Sequence, residues 1–138
     1  MDLKAFLMER VLTQAEEEYL VSQRFLGEDK QPAPFLLCPI GETEHDLLRR
    51  ACMRDGKIDV SDYLAGLVCA CVKRPDLRDA ALQKSWGVLG EQDLIRKMLL
   101  PGEYAGLLKR VQALCGFDVE EDPLREQIKN ASGGATGN

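Results

Sequence analysis

The sequence predicts a predominantly helical α+β fold, in which an N-terminal antiparallel β-hairpin is followed by a bundle of about five helices. Near the N-terminus, successive side chains alternate between a more apolar and a more polar face, as they do in a strand. Over most of the later chain, apolar residues recur at helical spacing. Gly, Pro and capping residues divide this later part into short segments. The 138 residues suit one domain, which we place at residues 1–118, followed by a polar C-terminal tail at residues 119–138.

The hairpin is predicted over about residues 18–40. Alternating side chains indicate a first strand at residues 18–26, and an apolar run at residues 35–40 indicates a second. The segment 27–32 between them is rich in turn-forming residues, so the two strands should pair. Pro39 has no N–H for a ladder hydrogen bond, so the second strand either lies at a sheet edge or ends there.

Helices are predicted over residues 43–116, and the first begins near Thr43. This residue can cap the helix with Asp46 at the capping-box position, and Gly56 is a natural stop. The inward stripe is predicted to contain Leu47, Leu48, Ala51 and Cys52. His45 falls in the polar first turn without an evident partner, so we expect its side chain to be solvated.

The second predicted helix has the broadest apolar face. Ser61 or Asp59 caps it, and it ends before Pro75, because a residue that precedes proline avoids the helical region. We expect this helix to be largely buried through Tyr63, Leu64, Leu67, Val68, Cys71 and Val72.

Three further helices are predicted beyond this point. A short helix starts at Pro75–Asp76 and an irregular link follows at residues 86–90. The inward residues of this short helix should be Leu77, Ala80, Ala81 and Leu82. The next helix covers residues 91–99, with Leu94, Ile95 and Met98 inward. After a corner at Pro101–Gly102, the last helix ends at Gly116 and buries Tyr104, Leu107, Leu108, Val111 and Leu114.

Composition and motifs exclude several function classes. The net charge is −5, and the basic residues mostly lie late in helices, where they oppose the helix dipole instead of forming a nucleic-acid-binding face. No apolar run approaches the ~20 residues that span a bilayer. The N-terminus lacks the pattern of a signal peptide, so we expect a cytoplasmic protein. No phosphate loop, nucleophile elbow or His–Cys pair is evident, so we predict no catalytic residues, cofactor or metal.

The five cysteines are predicted to be small buried hydrophobic residues. Their odd number and wide spacing argue against a disulfide framework. Cys69 and Cys71 form the one close pair, but structural zinc normally needs four ligands. A small thiol or redox enzyme built on this pair is the least favoured function, because the C-terminal end of a helix raises the pKa of a thiol.

Four stretches of the sequence carry a resemblance to one family. They read VSQRF at residues 21–25, ACVKRPDL at 70–77, LQKSWGVLG at 82–90 and MLLPGEY at 98–104, with GFD beyond. In this order, over about residues 3–118, they resemble the tail assembly chaperones of contractile-tailed phages and of defective prophages in Gram-positive bacteria. The chain differs from the family pattern at Cys115, where relatives often have asparagine, and at Asp55–Val60.

The resemblance implies a non-enzymatic role. Such chaperones bind the tape measure protein, keep it soluble until the tail tube polymerises around it, and are expected to be absent from the finished particle. The resemblance also suggests the tail tube protein and a frameshifted longer form of the chain as partners, and it is compatible with self-association. Codons for Ile128-Lys129-Asn130 could form a slippery heptamer. The alternative is a minor structural tail component or a helical protein–protein adaptor.

Trp86, Leu89 and Leu100 are the predicted partner-binding residues. They lie in links and not in the regular apolar stripes, so their side chains are candidates for contact with a partner helix. Tryptophan is also enriched at binding hot spots. The alternative for Trp86 is that its ring fills a gap in the core.

Overall fold

The chain is described by a computed structural model over residues 3–10 and 16–117. The predicted tail at 119–138, which includes the slippage position Ile128–Asn130, lies outside these residues. Within them, the predicted α+β fold with five helices is confirmed. The helices are α1 (Glu42–Ala51), α2 (Val60–Cys71), α3 (Ala80–Ser85), α4 (Glu91–Met98) and α5 (Pro101–Leu114). The strands are β1 (Glu17–Tyr19), β2 (Phe35–Leu37), β3 (Met53–Arg54), β4 (Lys57–Ile58) and β5 (Val72–Arg74).

The N-terminal hairpin is confirmed, but its first strand is shorter than predicted. Strand β1 pairs antiparallel with β2, with Tyr19 opposite Phe35. After Tyr19 the chain leaves the sheet, and the consecutive side chains of Val21 and Ser22 are both buried. Successive side chains of a strand point to opposite faces, so a strand cannot bury both of them on one side. The alternation that predicted a strand to residue 26 is therefore produced by an irregular segment.

Strand β5 was not predicted, and it makes β2 the central strand of a three-stranded sheet. Val72, which we assigned to the second helix, pairs instead with Leu37. Pro75 disfavours helical geometry in Arg74, the residue before it, and the β-branched Val72 favours extended backbone. Pro39 therefore marks the end of β2 and not a sheet edge.

Helix α1 begins one residue before the predicted cap. Its N-cap is Gly41, and Thr43 lies inside the first turn. The carboxylate of Asp46 does not close a capping box, because it pairs with Arg49 and Arg50, each at 3.0 Å. These partners lie three and four residues further along the same helix face.

Two residues of the predicted α1 stripe face solvent. Leu47 is 60% exposed and Ala51 is exposed, whereas Leu48 packs against the core and Cys52 is buried. Helix α1 packs mainly against α2, so only a narrow part of its surface is covered.

A tight hairpin follows α1 where we predicted a simple stop. Asp55 and Gly56 have positive φ angles of 52° and 78°. They connect the antiparallel strands β3 and β4. A two-residue turn with both φ angles positive matches the twist of the strands that it joins, which explains the Asp-Gly pair.

Helix α2 is largely buried, as predicted, and it forms the centre of the core. The side chain of Asp59 caps it by accepting a hydrogen bond from the Asp62 N–H at 3.0 Å. Helices α1, α4 and α5 all pack against it. Its buried residues are Tyr63, Ala65, Gly66, Leu67, Val68, Cys69 and Cys71. The predicted inward residues of α4, together with Leu107, Val111 and Leu114 of α5, are buried against them.

Helix α3 begins later than predicted. Its N-cap is Asp79, whose side chain accepts from the Leu82 N–H at 2.8 Å. Asp76, where we placed the start, accepts instead from the Arg78 N–H at 3.0 Å and so closes a local turn. This short helix exposes Ala80 and Ala81, which we had predicted to point inward.

None of the helices in the described ranges has the length and apolar character that crossing a membrane requires.

Candidate functional site

The structure separates the three predicted partner-binding residues. Leu89 is 89% exposed and borders a groove between α3 and α4. Trp86 is half-buried, forms the C-cap of α3 and packs against the core. Leu100, which is 54% exposed, lies beyond the far end of α4, a helix of eight residues and so about 12 Å long. Only Leu89 of the three belongs to the groove.

This α3–α4 groove is open and has a volume of about 920 Å³. Its lining consists of Ala80, Gln83, Lys84, Gly87, Val88, Leu89, Asp93, Arg96 and Lys97. Aliphatic side chains and the stems of long basic residues provide apolar surface, while the charged groups lie at its rim.

The link that carries Leu89 is held in place by the side chain of Gln83. Its Oε1 accepts from the Gly90 N–H at 2.9 Å, and its Nε2 donates to the Leu77 carbonyl at 2.9 Å. Gly87 and Gly90 have φ angles of +70° and +102°, which other residues rarely adopt. The glycines allow this path of the chain, and hydrogen bonds hold it, because the Val88 N–H also donates to the Gln83 carbonyl at 3.1 Å. The backbone on both sides of Leu89 is therefore anchored to α3, although the Leu89 side chain itself projects into solvent.

The rim of the groove carries more positive than negative charge. Lys84, Arg96 and Lys97 line it with a single carboxylate, Asp93. The Arg96 guanidinium is anchored on α2, since it donates to the carbonyl oxygen and to Oγ of Ser61, both at 2.9 Å. Within residues 3–10 and 16–117, no ion pair neutralises Lys84 or Lys97. The groove is therefore a local cationic surface on a chain of net charge −5.

His45 is not the solvated residue that we predicted. Its side chain is 14% exposed, and its Nε2 lies 2.5 Å from the hydroxyl of the buried Tyr63. The Phe117 ring centroid is 5.6 Å from that of His45. These partners are distant in sequence, so the polar first turn of α1 gave no sign of them.

The cysteines fit the prediction of buried hydrophobic residues in part. All five are free, and Cys52, Cys69 and Cys71 are buried, whereas Cys38 and Cys115 are half-exposed. Burial raises the pKa of Cys69 to about 12, so its thiol is unreactive near neutral pH. No group of three or more metal-ligating side chains occurs in the described part of the chain.

Cys71 is close to Cys115 and not paired with its sequence neighbour Cys69. The Sγ atoms of Cys71 and Cys115 are 3.5 Å apart. A hydrogen bond from the Cys71 thiol, together with one from the Ile40 N–H, lowers the pKa of Cys115 to about 7. Sequence reasoning missed this pair because its members are 44 residues apart.

Comparison with known proteins shows similarity along most of the chain. A family model described as the phage XkdN-like tail assembly chaperone protein matches residues 3–129. The phage-like element PBSX protein XkdN of Bacillus subtilis (strain 168) is 24% identical over 141 residues, which cover 94% of each chain. The crystal structure of the protein yqbn superposes with a TM-score of 0.79 at 22% identity and covers 86% of this chain and 98% of that one. The last likeness shows a shared fold.

Proposed function

The chain belongs to the family of XkdN-like phage tail assembly chaperones, and from this premise we propose that it binds the tape measure protein of its phage or prophage. It keeps that protein soluble in the host cytoplasm during tail assembly and is absent from the finished particle. The family is one of chaperones and not of enzymes. In this role the chain needs neither catalysis nor a cofactor, because binding alone prevents aggregation of an apolar partner.

The exposure of Leu89 on a fixed backbone is the observation that carries the proposed binding site. An isolated exposed leucine is ordinary on a protein surface. Leu89 differs because it is 89% exposed on a link that Gln83 holds by hydrogen bonds from the Val88 and Gly90 N–H groups. A docking residue that is already ordered loses little conformational freedom on binding, which favours affinity. A helix of the tape measure protein would cover Leu89 and Val88 in the α3–α4 groove.

The charge of the groove defines the helix that fits it. Lys84 and Lys97 would meet acidic side chains that flank the apolar stripe of the partner helix. Complementary charge mainly raises the rate of association and selects among partners. Binding should therefore weaken as ionic strength increases, because salt screens charges at an exposed rim.

The proposal is tested by co-expressing the chain with the tape measure protein from the same operon. Leu89→Ala should lower both the soluble amount of the tape measure protein and its recovery with the tagged chain. Leu47→Ala is the matched control, because Leu47 is also exposed but lies on α1, outside the groove. If the tape measure protein is recovered with Leu89→Ala in the same amount as with Leu47→Ala and with the wild type, the groove is excluded as the binding site.

A second measurement separates a chaperone from the alternative, a minor structural tail component. Purified particles should lack the chain according to the proposal and contain it according to the alternative. Mass spectrometry of particles from the same operon decides between them. Mass spectrometry of the tagged chain recovered from cells that express the operon reports whether the tail tube protein or a longer frameshifted form of the chain binds it, as we also propose.

A further inference from the structure

We propose that Cys115 and Cys71 form an oxidisable pair, in which Cys115 reacts with hydrogen peroxide and Cys71 then closes a disulfide with it. The pair joins two helix ends, since Cys71 is the last residue of α2 and Cys115 is the C-cap of α5. Their sulfur atoms are 3.5 Å apart. A disulfide requires a sulfur–sulfur distance of about 2.05 Å, so a shift of roughly 1.5 Å completes the bond.

Access to the two sulfurs is unequal, which assigns their roles. Cys71 is 0% exposed. Cys115 is only partly buried, and it lines a cavity of about 130 Å³ together with Ile40, Gly41, Glu42, His45 and Phe117. A molecule as small as hydrogen peroxide can enter this cavity and reach Cys115, whereas the surrounding core shields Cys71.

The hydrogen bonds of the pair favour attack by Cys115. The Cys71 thiol and the Ile40 N–H both stabilise the Cys115 thiolate and bring its pKa to about 7. The same contact, with burial, raises the pKa of Cys71, and burial raises those of Cys52 and Cys69. The thiolate is the form that reacts with peroxide, so Cys115 should react before these three cysteines.

The chemistry balances in two steps. The Cys115 thiolate attacks one peroxide oxygen, so that an S–O bond forms, the O–O bond breaks and hydroxide leaves, which gives a sulfenic acid. Cys71 sulfur then attacks Cys115 sulfur, so that the S–S bond forms and the S–O bond breaks. The departing hydroxide takes the Cys71 proton and leaves as water. Two thiols are oxidised by two electrons in total, and a cellular dithiol reductant reverses the change.

The test treats the full-length chain with hydrogen peroxide and maps its cysteines by mass spectrometry without reduction. The wild type should form the Cys71–Cys115 disulfide. Cys71→Ser should stop at a Cys115 sulfenic acid, which dimedone traps, and Cys115→Ser should form no disulfide at Cys71. Cys38→Ser is the control and should behave as the wild type, because Cys38 is half-exposed but takes no part in the pair.

A labelling experiment on the unmutated protein covers the case in which a variant fails to fold. Under native conditions, limiting iodoacetamide should alkylate Cys115 more than tenfold faster than Cys52, Cys69 or Cys71. Comparable labelling of Cys115 and Cys69 would overturn the proposal. So would a first disulfide or sulfenic acid at Cys38, since the reactive thiol would then lie outside the pair.

Discussion

The side-chain oxygen of Gln83 accepts a hydrogen bond from the Gly90 N–H at 2.9 Å and thereby ties the end of the α3–α4 link to helix α3. The amide nitrogen of the same side chain donates to the carbonyl of Leu77, a residue that is only 2% exposed. One glutamine thus connects the core to the link on which Leu89 is exposed. The proposed docking residue is therefore supported by a buried anchor.

We expect Gln83→Ala to release the link. The change removes two hydrogen bonds, each of which contributes about 0.5–1.5 kcal/mol, so the free energy of unfolding should fall by about 1–3 kcal/mol. The Gly90 amide should also exchange with solvent faster than in the wild type. Urea denaturation and NMR hydrogen exchange measure the two effects. Lys84→Ala is the control, because an exposed neighbour should change stability by less than about 0.5 kcal/mol.

Truncations in α5 test the packing that follows the corner at Pro101–Gly102, where Tyr104 and Leu108 pack against the core that contains the buried Leu99. Leu107 is fully buried, so Leu107→Ala should cost about 2–5 kcal/mol. Leu108 is only half-buried against the core, so Leu108→Ala should cost less but still lower the melting temperature. Thermal unfolding of both variants should show a larger fall in melting temperature for Leu107→Ala than for Leu108→Ala. An unchanged melting temperature for Leu108→Ala would contradict this packing.

Trp86→Ala distinguishes the two roles predicted for this side chain. Because the ring packs against the core at the C-cap of α3, we expect the free energy of unfolding to fall by about 3 kcal/mol, near the low end for a truncated aromatic. Recovery of the tape measure protein should fall in parallel with the folded fraction. A variant that keeps the wild-type melting temperature but no longer binds would instead make Trp86 a contact residue.

The elements that the sequence predicted well are those whose signal is local. Helix α5 repeats its apolar residues over 14 positions, and its burial follows that repeat. Strand β5 has three residues and depends on pairing with Leu37, 35 positions away from Val72, which no local pattern records. The off-stripe position of Leu89 was visible in the sequence, whereas the gathering of Lys84 and Lys97 at one rim depends on how α3 packs beside α4.

The carboxylate of Glu103 should make stability depend on pH in acid. It accepts from Arg24 at 2.5 Å and 3.1 Å and from the Leu100 N–H at 2.8 Å, so it holds the segment around Arg24 at the start of α5. The Arg24 hydrogen bond, then those of Ser22 and Leu100, lower the Glu103 pKa from 4.5 to about 2. Because the pKa is lower in the folded state, this stabilisation is present above about pH 4.5 and is lost as the pH falls toward 2.

Glu103→Gln isolates this contribution. The variant cannot ionise at residue 103, so the melting temperature of the wild type should exceed that of the variant at pH 7. The difference should shrink steadily between about pH 4.5 and pH 2, and calorimetry across this range measures it. The pKa of Glu17 is also lowered, by Arg110, but Glu17 is present in both proteins and its effect cancels in the comparison. A difference that stays constant down to pH 2 would mean that Glu103 acts as a helix cap without its charge.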